Sequence, residues 1–187
     1  MKIINMLESS YPQSLKKIKN PPTKLYAEGN TELINKNSLA IVGTRRPTEY
    51  GKKVSFNFAK ELSDEGICVV SGLADGIDSY AHLGAKSGKG KTIAVLGCGF
   101  NHIYPEHNLK LYQEILEEGG CVISEYEPDE ISKPEYFPTR NRIISGLSMG
   151  VLLVEGRYRS GSGITARLAM EQKKEVYLSC HRIYEKK

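Results

Sequence analysis

The apolar positions of this chain fall into six short runs: Leu39–Gly43 (LAIVG), Ile67–Ser71 (ICVVS), Thr92–Gly97 (TIAVLG), Cys121–Glu125 (CVISE), Gly150–Glu155 (GVLLVE) and Glu175–Ser179 (EVYLS). They are rich in Val, Ile and Leu and mostly continuous rather than alternating, the pattern of parallel strands covered on both faces. Between them lie stretches of helical periodicity: Gly51–Asp64, Ile77–Lys86, His107–Glu118, Thr139–Leu147 and Gly163–Lys173. On the second, Ile77, Tyr80, Ala81 and Ala85 recur on one helical face. Strands alternating with helices predict an α/β fold: a three-layer, mostly parallel sheet of about six strands. Right-handed crossovers then gather the strand-to-helix loops along one edge, where such sheets bind ligands.

The first 38 residues break the pattern. Tyr11-Pro12, Asn20-Pro21-Pro22 and Gly29-Asn30 are turn signals, with Leu15, Ile18, Leu25 and Tyr26 as apolar anchors. Residues 1–38 therefore read as an extension packed on the core, and 39–187 as one Rossmann-like domain. A chain of 187 residues with 40% hydrophobic and 26% charged positions suits a single soluble domain. No apolar run approaches the roughly 20 residues that span a bilayer, and the N-terminus lacks a signal-peptide pattern, so a cytoplasmic protein without membrane attachment is expected. The four cysteines (Cys68, Cys98, Cys121, Cys180) lack ligand spacing. Those at 68, 121 and 180 lie in or at the end of strand-like runs, where a free thiol packs as a small hydrophobe. No metal and no cofactor is expected.

Net charge is only +4, but its distribution is uneven: Thr139–Lys174 holds seven cations against two anions, and most of those cations are Arg. The chemistry concentrates in the predicted edge loops. The first, Gly43–Gly51 (GTRRPTEYG), has neither GxGxxG nor GxxxxGK[ST] spacing, so dinucleotide and P-loop readings are weak. It offers the Gly43 turn, the Thr44 hydroxyl and the guanidinium groups of Arg45 and Arg46, suited to a phosphate or to surface salt bridges. The second, SGLADGIDSYAH from Ser71, has Ser71, Gly72 and Gly76 as a possible anion cradle before a helix start. Asp78 and His82 stand four apart on one helical face, which predicts a structural Asp–His pair ahead of an acid–base role. In the third, Tyr104 is placed to stack on a base or to close the loop; His102 and His107 read as ordinary loop histidines.

Two further loops carry sharper signals. With a helix beginning at Thr139, Arg140, Asn141 and Arg142 occupy its first turn, where cations oppose the helix dipole. Their placement points to an external anion at that N-terminus. The last loop presents Ser160, Gly161, Ser162 and Gly163 before a helix carrying Thr165, with Arg157 and Arg159 flanking Tyr158. Backbone N–H groups and hydroxyls there suit an anion, and the Arg-Tyr-Arg step suits phosphates plus base stacking.

Taken together, YPQSL, PPTKLYAEG, IVGTRRPTEYG, SGLADGIDSYAH, TIAVLGCGFNHIYPEHN, FPTRNRIISGLS and LLVEGRYRSGSGITARLAME resemble, in order, the DprA/Smf DNA-processing family, related to the LOG and SLOG nucleotide-binding proteins. The resemblance implies a non-enzymatic protein that binds single-stranded DNA and helps load the RecA recombinase in natural transformation, with a homodimer as its assembly. It places Arg45, Ser71, Gly72, Arg140, Arg142 and the Ser160–Gly163 loop against DNA. The alternative is a LOG- or SLOG-like nucleotide sensor or hydrolase. LOG enzymes carry a PGGxGTxxE loop, and here Arg167-Leu168 follow Thr165-Ala166 with no Glu until Glu171, which removes the acid/base candidate.

Overall fold

The computed structural model describes residues 1–157 and 159–179. In chain order the elements are β1 (Lys2–Asn5), α1 (Gln13–Lys16), β2 (Lys24–Gly29), β3 (Ser38–Gly43), α2 (Glu49–Asp64), β4 (Cys68–Ser71), α3 (Ile77–Ala85), β5 (Thr92–Val95), α4 (Leu109–Glu117), β6 (Cys121–Ser124), α5 (Tyr136–Leu147), β7 (Gly150–Val154), α6 (Gly161–Glu171) and β8 (Glu175–Leu178). Short 3₁₀ turns occupy Thr31–Asn35 and Glu106–Asn108. All strands join one sheet in the order β1-β2-β6-β5-β4-β3-β7-β8. The six strands from β6 to β8 in that order pair in parallel, as their continuous apolar runs require.

The expected count of six is exceeded by two. β1 pairs antiparallel with β2, and β2 antiparallel with β6, in the register Tyr26↔Ser124 and Gly29↔Cys121. The first 38 residues therefore extend the sheet as well as packing on it. Their strands are short and of mixed polarity, and β2 meets a partner nearly a hundred residues away, so local periodicity carries no trace of the pairing.

Alternate strand residues feed the two faces. Val42, Val70, Ile93, Ile123 and Val151 meet Leu15, Ile143, Ile144 and Leu147, so α1, α5 and α6 cover one side. Ile41, Val69 and Leu152 meet α2 and α3, while Ala94 and Val122 meet α4, on the other side. The close approach of α2 to α3 follows from a stripe of small residues, Gly51, Ser55, Ala59 and Ser63, spaced by four and all buried. Two of them donate across the contact, Ser55 to the Ile77 carbonyl (2.8 Å) and Ser63 to that of Ala85 (2.7 Å).

Strand order reverses between β3 and β7. The chain winds outward from β3 to β6, then crosses back under α5 to place β7 on the other side of β3. At such a reversal the loops leave in opposite directions and open a crevice outside the carboxyl ends of the strands. Among the described residues no helix is long and apolar enough to cross a membrane.

Leu15 is wholly buried between the N-terminal segment and α5, where its side chain fills the space left by Gly146. Leu15→Ala should lower unfolding free energy by about 2–5 kcal/mol, measured by urea denaturation. A change below about 1 kcal/mol would show that the segment lies outside the cooperative core.

Candidate nucleic-acid interface

Beside the reversal lies a cleft of about 370 Å³. The ends of β3 (Val42, Gly43), the second edge loop (Ala74, Asp78), the start of α5 (Phe137, Arg140, Asn141) and the start of α6 (Gly161, Ser162, Thr165) line it. A small adjoining lobe reaches Gly72 and Asp75 under Arg45, Tyr104 and Phe137. Tyr104 and Phe137 meet at the mouth, ring centroids 5.5 Å apart and tilted 47°. The Arg45 guanidinium stands 6.0 Å from the Phe137 centroid, a loose cation–π contact over the same opening.

The floor is built on one buried arginine. Arg140 is 4% exposed and donates through Nη1 to the Gly72 carbonyl (2.7 Å) and to that of Val95. Gly72 is glycine for want of space: a Cβ there would stand 2.6 Å from Arg140 Nη1. From the other side, the Gly72 N–H donates to Asp78 Oδ2 (3.0 Å). Burial pushes the Asp78 carboxyl up and the Arg140 guanidinium down, while the charge of each favours the ionised form of the other. Arg140 Nε is buried without a hydrogen-bond partner.

The next peptide is held in the same way. Leu73 adopts φ +56°, a left-handed conformation that costs a non-glycine residue about 1 kcal/mol. Its N–H donates to His82 Nε2 (3.3 Å), and its carbonyl accepts from Asn108 Nδ2 (2.9 Å). Thr92 gives its hydroxyl proton to the Val69 carbonyl (2.7 Å), so it accepts at the 2.8 Å contact with His82 Nδ1. That assigns the ring proton to Nδ1 and leaves Nε2 as the acceptor that Leu73 needs. Burial, with the Arg140 charge second, pushes the His82 pKa down to about 3.

The expected Asp78–His82 pair is thus replaced by two separate contacts: each side chain grips a different peptide of the loop. Helix α5 also differs from expectation. It begins at Tyr136, with Pro138 inside its first turn, where a missing N–H costs nothing. Arg140 and Arg142 consequently stand in the second turn, away from the first-turn N–H groups that an external anion would meet. Two residues apart on a helix, they also face different ways. Arg142 leaves the cleft and pairs both of its terminal nitrogens with Glu125 (2.7 and 2.5 Å) while Nε donates to the Asn20 carbonyl (2.9 Å). Its structural work is to clasp the N-terminal segment to α5. Ser71 is wholly buried and spends its hydroxyl on the Ile41 carbonyl (2.6 Å).

Of the other singled-out residues, Gly43, Arg45, Asn141, Gly161, Ser162 and Thr165 meet at the cleft with Arg140. Gly72 joins them from the lobe. Asn141 donates to the Gly161 carbonyl (3.1 Å) and so ties α5 to the start of α6. Ser160 caps α6 by accepting from Gly163 N–H (3.2 Å), while a Cβ at Gly161 would meet nothing within 4 Å. The start of α6 thus has free space beside Gly161, which with Ser162 also lines the cleft. The Thr44 hydroxyl accepts from Arg46 N–H within its own loop (3.2 Å). Arg46, Arg157 and Arg159 are exposed outside the cleft lining. Tyr158 and Cys180 lie outside the described residues.

Asn108, Glu125, Phe137 and Glu155 carry weight that no motif announced. His107 contacts Asp75 (2.5 Å) on the surface, and His102 is exposed. Among the described residues no group of three or more His, Cys, Asp or Glu converges as a metal site. Burial pushes the Cys68 and Cys121 thiols up to about 12, which keeps both in the unreactive protonated form.

Residues 2–187 match the family described as DNA recombination-mediator protein A. The chain belongs to that family. DNA processing protein DprA of Bacillus subtilis is 45% identical over 175 residues, covering 93% of this chain and 59% of its own length. Protein Smf of Escherichia coli is 44% identical over 167 residues, covering 89% and 45%. The chain thus spans about half to three fifths of these relatives. Among solved structures, DprA of Streptococcus pneumoniae superposes with a TM-score of 0.91 at 38% identity, covering 98% of this chain and 64% of that one. DNA processing protein A of Helicobacter pylori, whose structure concerns its single-stranded DNA binding mode, gives 0.89 at 35% identity, covering 99% and 84%. A molybdenum cofactor binding protein of Rippkaea orientalis, at 0.56 and 20% identity over 76% of each chain, shares the Rossmann-like fold. Recombination mediation, the family's described role, is a binding function rather than a bond-making one.

The buried, neutral His82 makes the site acid-sensitive. Its imidazole titrates near 6.5 when unfolded and at about 3 when folded, so below pH 6.5 the unfolded chain takes up the extra proton. Stability is full above 6.5 and falls as pH drops toward 3. Between pH 7 and 5 the loss from this group should be about 2 kcal/mol. Thermal denaturation at the two values, with His82→Gln flattening the slope, checks it. In the same loop, Gly72→Ala should cost about 1–3 kcal/mol by forcing Arg140 aside, measured by urea denaturation.

Proposed function

We propose that this chain binds single-stranded DNA at the cleft, receiving a base there while the flanking phosphates run along the exposed cations outside it. The observation that carries this reading is the separation of charges. Inside, the Arg140 charge is turned onto two carbonyls with Asp78 beside it, so a phosphate on the floor would lie against a buried carboxylate. A neutral base avoids that conflict. Its faces suit the Tyr104 and Phe137 rings that meet at the mouth. Arg45 and the start of α6 at the rim, with Arg46, Arg157 and Arg159 outside the lining, supply positive potential without a single fixed phosphate seat.

A cleft of this size takes one nucleotide rather than a run of them, so a longer strand is held at intervals. Arg142 and Ser71 serve by shaping the site rather than by touching the strand. Asp78 is occupied by the loop's own N–H groups, which argues against glycosidic-bond chemistry at this site. The family's description as a recombination mediator supports a cytoplasmic role in handing the strand to a RecA-type recombinase. An apolar groove between α2 and β8, lined by Val54, Phe58, Tyr177 and Leu178, supports pairing with a second copy.

Fluorescence-anisotropy titration with labelled oligonucleotides tests the reading. A thymidine oligomer should bind at low salt, with log affinity falling as log salt rises by about 0.7 per phosphate engaged. The same backbone carrying abasic positions should bind at least tenfold more weakly, and Arg45→Ala should lose about tenfold. Absence of binding at low salt would overturn the DNA reading; equal affinity for the abasic strand would overturn base insertion alone. Light scattering with and without the oligomer reads the assembly.

A further inference from the structure

In a doubly wound sheet the helix after the first parallel strand is the usual seat for a nucleotide phosphate, because its first N–H groups are unpaired and its dipole end is positive. Here that helix is α2, and its N-terminus is already occupied. The Glu155 carboxylate, arriving from the far side of the strand-order reversal, accepts the Thr48 N–H at Oε2 (2.8 Å) and the Thr48 hydroxyl at Oε1. Thr48 in turn caps the helix by accepting the Gly51 N–H (3.2 Å).

Two independent features show that the contact is built in. A Cβ at Gly51 would stand 2.4 Å from Glu155 Oε2, so glycine at 51 is what lets the carboxylate lie against the first turn. Glu155 itself sits at φ +52°, in the left-handed region that disfavours side-chain-bearing residues, and strain of this kind persists only where surrounding contacts fix it. Among the described residues Glu155 forms no ion pair, and its carboxylate accepts from Thr48 at the helix end. Glu49 in the same first turn adds a second negative group.

We infer that Glu155 is a specificity-determining residue: an internal anion that fills the phosphate seat of the first strand-to-helix turn and keeps free nucleotide phosphates out of it. The two helix ends flanking the reversal thereby become unlike. The start of α2 is closed by a carboxylate, the start of α6 is open, and an incoming phosphate is directed to the α6 side. The inference goes beyond the DNA reading and holds whichever strand or nucleotide the cleft takes.

Backbone amide NMR with inorganic pyrophosphate as the probe tests it on the full chain. In the native protein the Thr48–Gly51 amides should stay in place while those of Gly161 and Ser162 shift. In Glu155→Gln the Thr48–Gly51 amides should also shift, saturating in the millimolar range, with Glu155→Ser serving the same comparison if the amide variant does not fold. Saturable movement of the Thr48–Gly51 amides in the native protein would overturn the inference. So would a folded variant in which they remain unmoved. Neither result depends on oligonucleotide binding, so loss of the DNA reading would leave a distinct signature.

Discussion

One buried guanidinium sets the shape of the working edge of this molecule. The carboxyl end of a parallel sheet presents carbonyl groups that no further strand will pair, and burying them unpaired is costly. Arg140 meets two of them, at Gly72 and Val95, and brings the start of α5 down onto β4 and β5. Asp78, His82 and Asn108 complete the grip on the next atoms of the same loop. Both backbone polar groups of two successive residues, Gly72 and Leu73, are therefore held by four side chains drawn from α3, the approach to α4, and α5. The glycine at 72 and the left-handed leucine at 73 are consequences of that clamp. The walls of the cleft are thus held by contacts within the chain itself.

Much of the parallel core was legible because its strands are buried on both faces and so appear as unbroken apolar runs. The five long helices were legible from their periodicity, with ends displaced by a few residues. Pro138 concealed the true start of α5, since proline inside a first turn looks like a boundary. That displacement changed the meaning of Arg140 and Arg142 from neighbours facing one anion to side chains facing opposite ways. The edge loops were legible as a group because the fold must gather them. Which loop side chains point into the cleft was not, as the turned-in Ser71 hydroxyl shows. The Asp78–His82 spacing suggested a pair, whereas the two side chains take separate partners set by a backbone conformation at Leu73 that no local rule supplies. β1 and β2 stayed hidden because their stabilising contacts are almost entirely remote in sequence.

The absence of a glycine fingerprint in the first loop fits the placement of charge around the reversal. Sheets of this class commonly receive a diphosphate at the first helix. In this family member the equivalent position is spanned by a contact between two loops, and the cations lie further out. The proposed single-stranded DNA ligand is of the matching kind, since its phosphates lie along a track rather than at one point. A fold shared at only 20% identity, as with the molybdenum cofactor binding protein, does not fix the ligand. The architecture supplies the crevice, and the side chains at its rim select the occupant.

Helix α5 carries an arginine on each of two opposite sides, one bound to the strand ends and the other to Glu125 and the Asn20 carbonyl. Such a helix is pinned against rotation about its own axis, because a turn in either direction breaks a charged contact on one side. The backbone walls of the cleft thus have little freedom to widen. The Tyr104, Phe137 and Arg45 side chains at the mouth lie outside this clasp, and side chains so placed change rotamer on a nanosecond scale without disturbing a sheet. Adjustment at this site is a matter of hinges in three side chains on a rigid frame.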